Sequence, residues 1–410
     1  MIERLGDQPV AETAAPAKRA HFRCLDAYRA IGMLMILLFH AHFYALAHKM
    51  GVLGPVFGRF DVALPFFFVL SGFLLFRPYV VALLADRPPA SAARFYRNRA
   101  IRIFPAYWFA LLGAVLLFDV RFHSVGEFLT FAFVLQIYRS SLVFGSRFQP
   151  IYQSWSIATE IGFYLLLPLL AWGLRRAVAG RDDRVKITGC VALVAALYVV
   201  GTAFRAAVVA FHPSWQGSAV LSVGAWLDIF AIGMILAVAS AWHAHTGRHV
   251  TVLEWLSHHI VVSWALAAVF FWITTRFAPP KQPLVFHGTE YVARYFLYGL
   301  VSFFFLVPGM IGDQGVGRIR GVLGSRVLTF LGTISLGFYL FHVGFLGRAQ
   351  AWTGAGAFQA SFVEEVAIAV PLTLVAGTVS YFLVERPALR WKGDRRSRRA
   401  PARRRAPAGT

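Results

Sequence analysis

Ten apolar stretches, each close to twenty residues long, follow one another along the chain. They fall at approximately 26–48, 61–84, 103–120, 154–174, 187–209, 220–241, 257–276, 291–312, 327–346 and 362–384. A helix of about twenty apolar residues crosses the ~30 Å hydrocarbon core of a bilayer. Inside that core every backbone polar group must be bonded within the protein, which leaves helices and closed barrels as the spanning structures. Only 14% of the residues are charged and 58% are hydrophobic, against about 25% charged in a soluble domain. A soluble multidomain enzyme and a largely disordered chain are both excluded. The pattern predicts an all-α integral membrane protein of about ten transmembrane helices. One further apolar stretch, Val125 to Tyr138, is too short to span.

The formal net charge of +21 could point to nucleic acid, but its distribution does not. Ten of the forty Lys and Arg residues lie between Arg386 and Arg405, and most others sit in short clusters between apolar runs. That is the bias of cytoplasmic loops. With ten spans and a cytoplasmic N-terminus, inner segments carry 28 basic residues and outer ones 8, with Arg29, Arg77, Arg205 and Arg294 inside spans. If 125–138 also crossed, the Arg-rich tail would move outside. The stretch is therefore expected to be an interfacial or re-entrant helix on the outer face, and both termini cytoplasmic. Residues 1–24 read as a disordered leader without a cleavable signal peptide, residues 25–390 as one transmembrane domain, and residues 391–410 as a basic, disordered cytoplasmic tail. The only cysteines, Cys24 and Cys190, fall near inner helix ends and are expected to stay reduced. No zinc-type Cys/His spacing occurs, and no metal site is expected. P-loop and dinucleotide-binding signatures are also missing, so ATP-driven transport has no support.

Polar side chains within spans are costly and are functional candidates by default. In the first span, Arg29 and His40 are eleven residues apart. At 100° per residue they share one helix face, about 16 Å apart along the axis. Arg29 also suits a snorkelling anchor, and His40 a buried, hydrogen-bonded structural histidine. Glu160, two turns into the fourth span, needs a partner or a proton. Its depth matches that of His40, so the two can meet. His342 in the ninth span lies in the same layer, where a satisfied core histidine is the alternative. Arg94, Arg97, Arg99 and Arg102 precede the third span. Arg99 and Arg102 share a helix face and can grip phosphate groups, although topology determinants look the same. Pro105 suits an early helical turn. Ser71 and Gly72 form a small notch in a Phe-rich span, fit for close helix packing or for a thin acyl chain.

Several of these segments, taken in order, resemble the membrane acyltransferase 3 family. Arg29 and His40 match its R-x10-H motif. Phe67 to Phe73 matches FFVLSGF, and Arg99 to Pro105 resembles R-x-x-R-I-x-P. Trp155 to Glu160 is similar to WSLSxE, Ile334 to His342 to ISYSLYLLH, and Glu385-Arg386-Pro387 closes the family core. The resemblance runs from Leu25 to Arg390. Ala63 and Pro65 depart from the residues usual ahead of FFVLSG. No fused extracytoplasmic esterase-like domain is expected.

The resemblance implies a bacterial plasma-membrane O-acyltransferase. It would use acyl-CoA, typically acetyl-CoA, as co-substrate with no permanently bound cofactor. The acceptor would be a hydroxyl of an extracytoplasmic or membrane-associated glycan or small molecule. His40 is then the expected general base, with Glu160 orienting it or stabilising its imidazolium, and His342 holding the acceptor or the oxyanion. An acyl-His40 intermediate is the competing chemistry. Arg29, Arg99 and Arg102 are expected to hold the phosphates of the donor, and Ser71 and Trp155 to lie on the substrate channel. The other reading of the same residues is a transporter or flippase that uses intramembrane His and Glu as a proton relay.

Overall fold

The computed structural model describes Phe22 and residues 24–45, 53–139, 151–277, 288–312, 317–355 and 359–397. Residues 1–21, and the basic tail beyond Ser397, lie outside them. Helices of eight or more residues are α1 (Cys24–Tyr44), α2 (Ala63–Leu84), α3 (Ala92–Phe118), α4 (Val125–Ala132), α5 (Trp155–Val178), α6 (Asp183–Phe211) and α7 (Leu227–Thr246). They continue with α8 (Thr251–His258), α9 (Ile260–Phe277), α10 (Gly288–Met310), α11 (Arg326–Thr333), α12 (Ser335–Trp352), α13 (Phe362–Ser380) and α14 (Arg386–Ser397). No strand occurs among the described residues. Eight spans stand alone: α1, α2, α3, α5, α6, α7, α10 and α13. α8 and α9 meet at 94°, and α11 and α12 at 67°. Counting each bent pair once gives up to ten candidate spans among the described residues, and the chain is an all-α, multi-pass membrane protein.

Three local features shape the site, the first two of them differences from the sequence reading. First, α3 begins at Ala92 rather than near 103. Ser91 caps it by accepting from the Arg94 backbone N–H at 3.4 Å, and the Ala- and Arg-rich run that follows is good helix former. Arg94, Arg97, Arg99 and Arg102 therefore lie on a helix, and Pro105 falls inside it. Second, the ninth stretch breaks at Ile334. Ser335 Oγ donates back to the Gly332 carbonyl at 2.8 Å. At Gly332 a Cβ would sit 2.0 Å from the Asp26 carbonyl oxygen, so only glycine lets α11 lie against the start of α1.

Third, Val125–Tyr138 forms the short helix α4 followed by the 3₁₀ turn Gln136–Tyr138. Tyr107 Oη donates to the Phe131 carbonyl at 2.8 Å, and Trp108 Nε1 to the Ala132 carbonyl at 2.9 Å. Both donors lie roughly 15 Å along α3 from its end at Phe118. The segment thus dips into the bundle. Gln136 Nε2 then donates to Ser154 Oγ at 2.8 Å, immediately ahead of α5. On the far side Tyr96 Oη donates to the Leu165 carbonyl at 3.1 Å. Because α3 and α5 are antiparallel, Trp155 starts α5 near the level of Ala106, well inside the bundle.

The centre is held by close helix approach. A Cβ at Gly72 would lie 2.2 Å from the Phe230 carbonyl oxygen, and one at Gly233 would lie 1.9 Å from that of Val69. The small notch of α2 is thus filled by α7, backbone against backbone. Phe163 and Phe230 stack at 4.0 Å beside it. Arg205 of α6 forms a two-pronged ion pair with Asp228 of α7, at 2.6 and 2.8 Å. Both are buried, so this intramembrane arginine is a structural tie. Cys24 and Cys190 are free and buried.

Candidate active site

Two helices begin inside the bundle, α5 at Trp155 and α12 at Ser335, and the motif residues sit on their first turns. The two starts are pinned together. Gln153 Nε2 donates to the Leu340 carbonyl at 2.8 Å. Tyr339 Oη donates to the Gln153 carbonyl at 2.6 Å. With that proton committed, the 2.7 Å contact between Ser156 Oγ and Tyr339 Oη has the serine as donor.

A cavity opens beside these starts. Arg29, Ser71, Arg99, Arg102, Glu160 and Tyr339 all line it. Three guanidinium groups from α1 and α3 thus face one space. Each is placed differently. Arg29 is tied to Asp26 at 2.7 Å. Arg102 lies 3.7 Å from Glu385, whose side chain is 2% exposed. Arg99 stands over the Tyr164 ring at 5.9 Å and has no carboxylate partner among the described residues. Glu385 reaches inward because Tyr381–Glu385 forms a π-helical turn between α13 and α14, a distortion that often marks functional positions. Glu160 accepts a hydrogen bond from Ser71 Oγ. The partnership of Glu160 with His40 expected from their depth is not formed. Trp155 does not line the cavity; it packs on Trp226 with ring centroids 5.6 Å apart.

His40 pairs with His342. His342 Nε2 lies 3.0 Å from His40 Nδ1, and the two residues are 0% and 7% exposed respectively. The surrounding carbonyls fix the protons. His342 Nδ1 is 2.6 Å from the Tyr339 carbonyl, and His40 Nδ1 is 2.8 Å from that of Ile36. A carbonyl needs a donor at each place, so both Nδ1 atoms carry hydrogen. His342 Nε2 is then a lone pair that shares the His40 Nδ1–H with Ile36. His40 Nε2 is left as a lone pair with no protein partner among the described residues. The Tyr152 ring lies 5.6 Å from that of His40. The pair sits within a turn of Tyr339, which lines the cavity. Arrangements of this kind, a neutral imidazole with one nitrogen held and the other free, accept a proton from a hydroxyl.

The profile of the acyltransferase domain family, acyltransferase 3, matches residues 22–384. The chain belongs to that family. The matched segment runs from two residues before α1 to the residue before Glu385. It is 26% identical over 357 residues to acyltransferase MdmB of Streptomyces mycarofaciens, covering 82% of each chain. It is also 26% identical over 223 residues to nodulation protein 10 of Rhizobium leguminosarum bv. viciae, covering 49% of this chain and 54% of that one. No solved structure matches. The chain is thus a membrane acyltransferase, acting between an acyl donor and an acceptor.

The structure brings Arg29, Arg99, Arg102, Ser71 and Glu160 to one cavity and His40 to His342; sequence reasoning placed Glu160 with the two histidines instead. It assigned no role to Tyr339, Gln153, Ser156 or Glu385. Ser156, Tyr339 and Glu385 stand inside the quoted motifs, which were signal enough for their presence and not for their partners. No group of three or more His, Cys, Asp or Glu residues among the described residues is placed to hold a metal ion.

Proposed function

We propose that this acyltransferase moves an acyl group, acetyl in the simplest case, from cytoplasmic acyl-CoA to a hydroxyl of an extracytoplasmic or membrane-associated glycan or small molecule. The observation that carries the reading is the His40–His342 pair, one turn from a cavity that faces three arginines. In this reading Arg29, Arg99 and Arg102 hold the donor's phosphates, with Arg99 the guanidinium that has no carboxylate to give up. The pantetheine arm runs along α1 towards His40, about 16 Å from Arg29 along the helix axis. The acceptor reaches His40 from the outer side past Tyr152.

His40 Nε2 takes the hydroxyl proton as the acceptor oxygen attacks the thioester carbonyl carbon. The carbon–sulfur bond then breaks, and the leaving thiolate takes that proton back from His40. During the charged interval the imidazolium is stabilised through Nδ1–H by His342 Nε2 and the Ile36 carbonyl. His342 thus serves the base rather than the acceptor, and Glu160, bonded to Ser71, organises the arginine cavity. A bacterial plasma membrane is the setting in which cytoplasmic donor and outward acceptor meet across this fold. The test is transfer of labelled acetyl from acetyl-CoA to an acceptor extract by purified protein in nanodiscs. Base-labile label in the acceptor is the expected result. Movement of an unmodified solute with no use of acyl-CoA would replace the reading with transport.

A further inference from the structure

A second cavity lies nearer the ends of the helices that the charge bias assigns to the cytoplasm. It shares no lining residue with the arginine cavity. Arg77 of α2 enters it from one side. Ser240 and His243 of α7, His249, and Glu254 of α8 enter from the other, with Phe22 beside Arg77. Arg77 is six residues beyond Ser71, roughly 9 Å further along α2.

The side chains are arranged as a set of donors. Arg77 Nε donates to Ser240 Oγ at 3.0 Å, and its guanidinium lies over the Phe22 ring at 5.3 Å. These two contacts fix the plane of the group. Its two terminal nitrogens have no carboxylate partner among the described residues. Ser240 Oγ, having accepted from Arg77, keeps its own proton to donate. The His243 and His249 rings lie 3.9 Å apart. His243 Nδ1 is buried with no partner among the described residues. Glu254, the one carboxylate among the described lining residues, is engaged by His249 Nδ1 at 2.9 Å. No group of three ligating residues is assembled around the His pair among the described residues. A guanidinium fork, a hydroxyl and the unpaired His243 imidazole lining one space suit a tetrahedral anion with several acceptor oxygens. The acyl-donor reading leaves all of them unused.

We propose that this cavity is a second anion site, which binds the phosphate group of a ligand arriving from the cytoplasmic side. The proposal stands independently of the donor used in the arginine cavity. The test reads the cavity locally. Full-length protein in phosphatidylcholine nanodiscs is treated with diethylpyrocarbonate, and carbethoxylation of each histidine is followed by mass spectrometry. The probes are inorganic phosphate, adenosine 3′,5′-bisphosphate and phosphatidylglycerol in the nanodisc.

Protection of His243 and His249 is expected, with His245 and His258 reacting as before. Arg77→Gln should weaken that protection by about tenfold in probe concentration, the loss of charge-assisted hydrogen bonds. Ser240→Ala, a gentler change, should weaken it several-fold, and Arg29→Gln should leave it intact. Protection by the soluble probes supports a soluble phosphate ester; protection by phosphatidylglycerol alone supports a lipid headgroup. Equal modification of His243 and His249 with and without every probe overturns the proposal, as does protection that is undiminished in both cavity variants.

Discussion

His342 offers the sharpest perturbation because its contribution can be worked from geometry. Its Nε2 lone pair lies 3.0 Å from His40 Nδ1, and neither ring is open to water. When His40 takes the acceptor's proton, this contact becomes a hydrogen bond to a charged group. Such bonds contribute about 1.5–3 kcal/mol, which corresponds to about 10–150-fold in rate. His342→Ala should therefore lower turnover by about that factor, with the Ile36 carbonyl still holding the ring. His342→Gln, which can place an amide oxygen near the position of Nε2, should recover part of the loss. His40→Ala removes the base itself and should cost about 10²–10⁴-fold. Residues that act as a unit are not additive, so the double variant should be no slower than His40→Ala alone. The assay is initial-rate thiol release at saturating donor and acceptor, on variants that remain monodisperse. His342→Ala within twofold of wild type, or a double variant slower by the product of the single effects, would refute the relay.

Glu385→Gln should lower the KM for the acyl donor several-fold while changing kcat little, because Arg102 then has no carboxylate to give up to the donor's phosphates and Glu385 touches no part of the His pair; steady-state kinetics in donor concentration checks the split. Gly233→Ala should lower the unfolding midpoint in detergent markedly, by 1–3 kcal/mol or more, because a Cβ there would lie 1.9 Å from the Val69 carbonyl oxygen. Asp228→Asn should destabilise the fold by about 3–5 kcal/mol, since it leaves the buried Arg205 unpaired; a thermal melt beside a surface Asp variant reads it.

Span number and the layer shared by His40 and His342 were legible because both follow from one-dimensional quantities, stretch length and residues counted from a membrane face. Arg29 and His40 share a face for the same reason, by helix periodicity. Partner choice was not legible. Glu160 stands at a depth compatible with His40, yet its rotation about α5 turns it to Ser71, and rotation depends on how α5 packs. That packing follows from the dip of α4 and the bond from Gln136 to Ser154, a contact between residues eighteen apart in the chain. The break at Ile334 was hidden inside a continuous apolar run, since hydropathy does not record where Gly332 must meet Asp26. Glu385 closes the last motif, but its contact with Arg102 depends on a π turn that no periodicity announces. Asp228 looked unremarkable until α6 brought Arg205 against it.

The central claim is that a neutral His40, with Nε2 free, removes the acceptor's proton while the thioester is held nearby. Single-turnover thiol release from acetyl-CoA, with acceptor added to wild type and to a folded, donor-binding His40→Ala variant, tests it most directly. Acceptor-dependent release in wild type that falls by at least a hundredfold in the variant, with donor affinity retained, is the predicted result. Undiminished acceptor-dependent release by His40→Ala would contradict it.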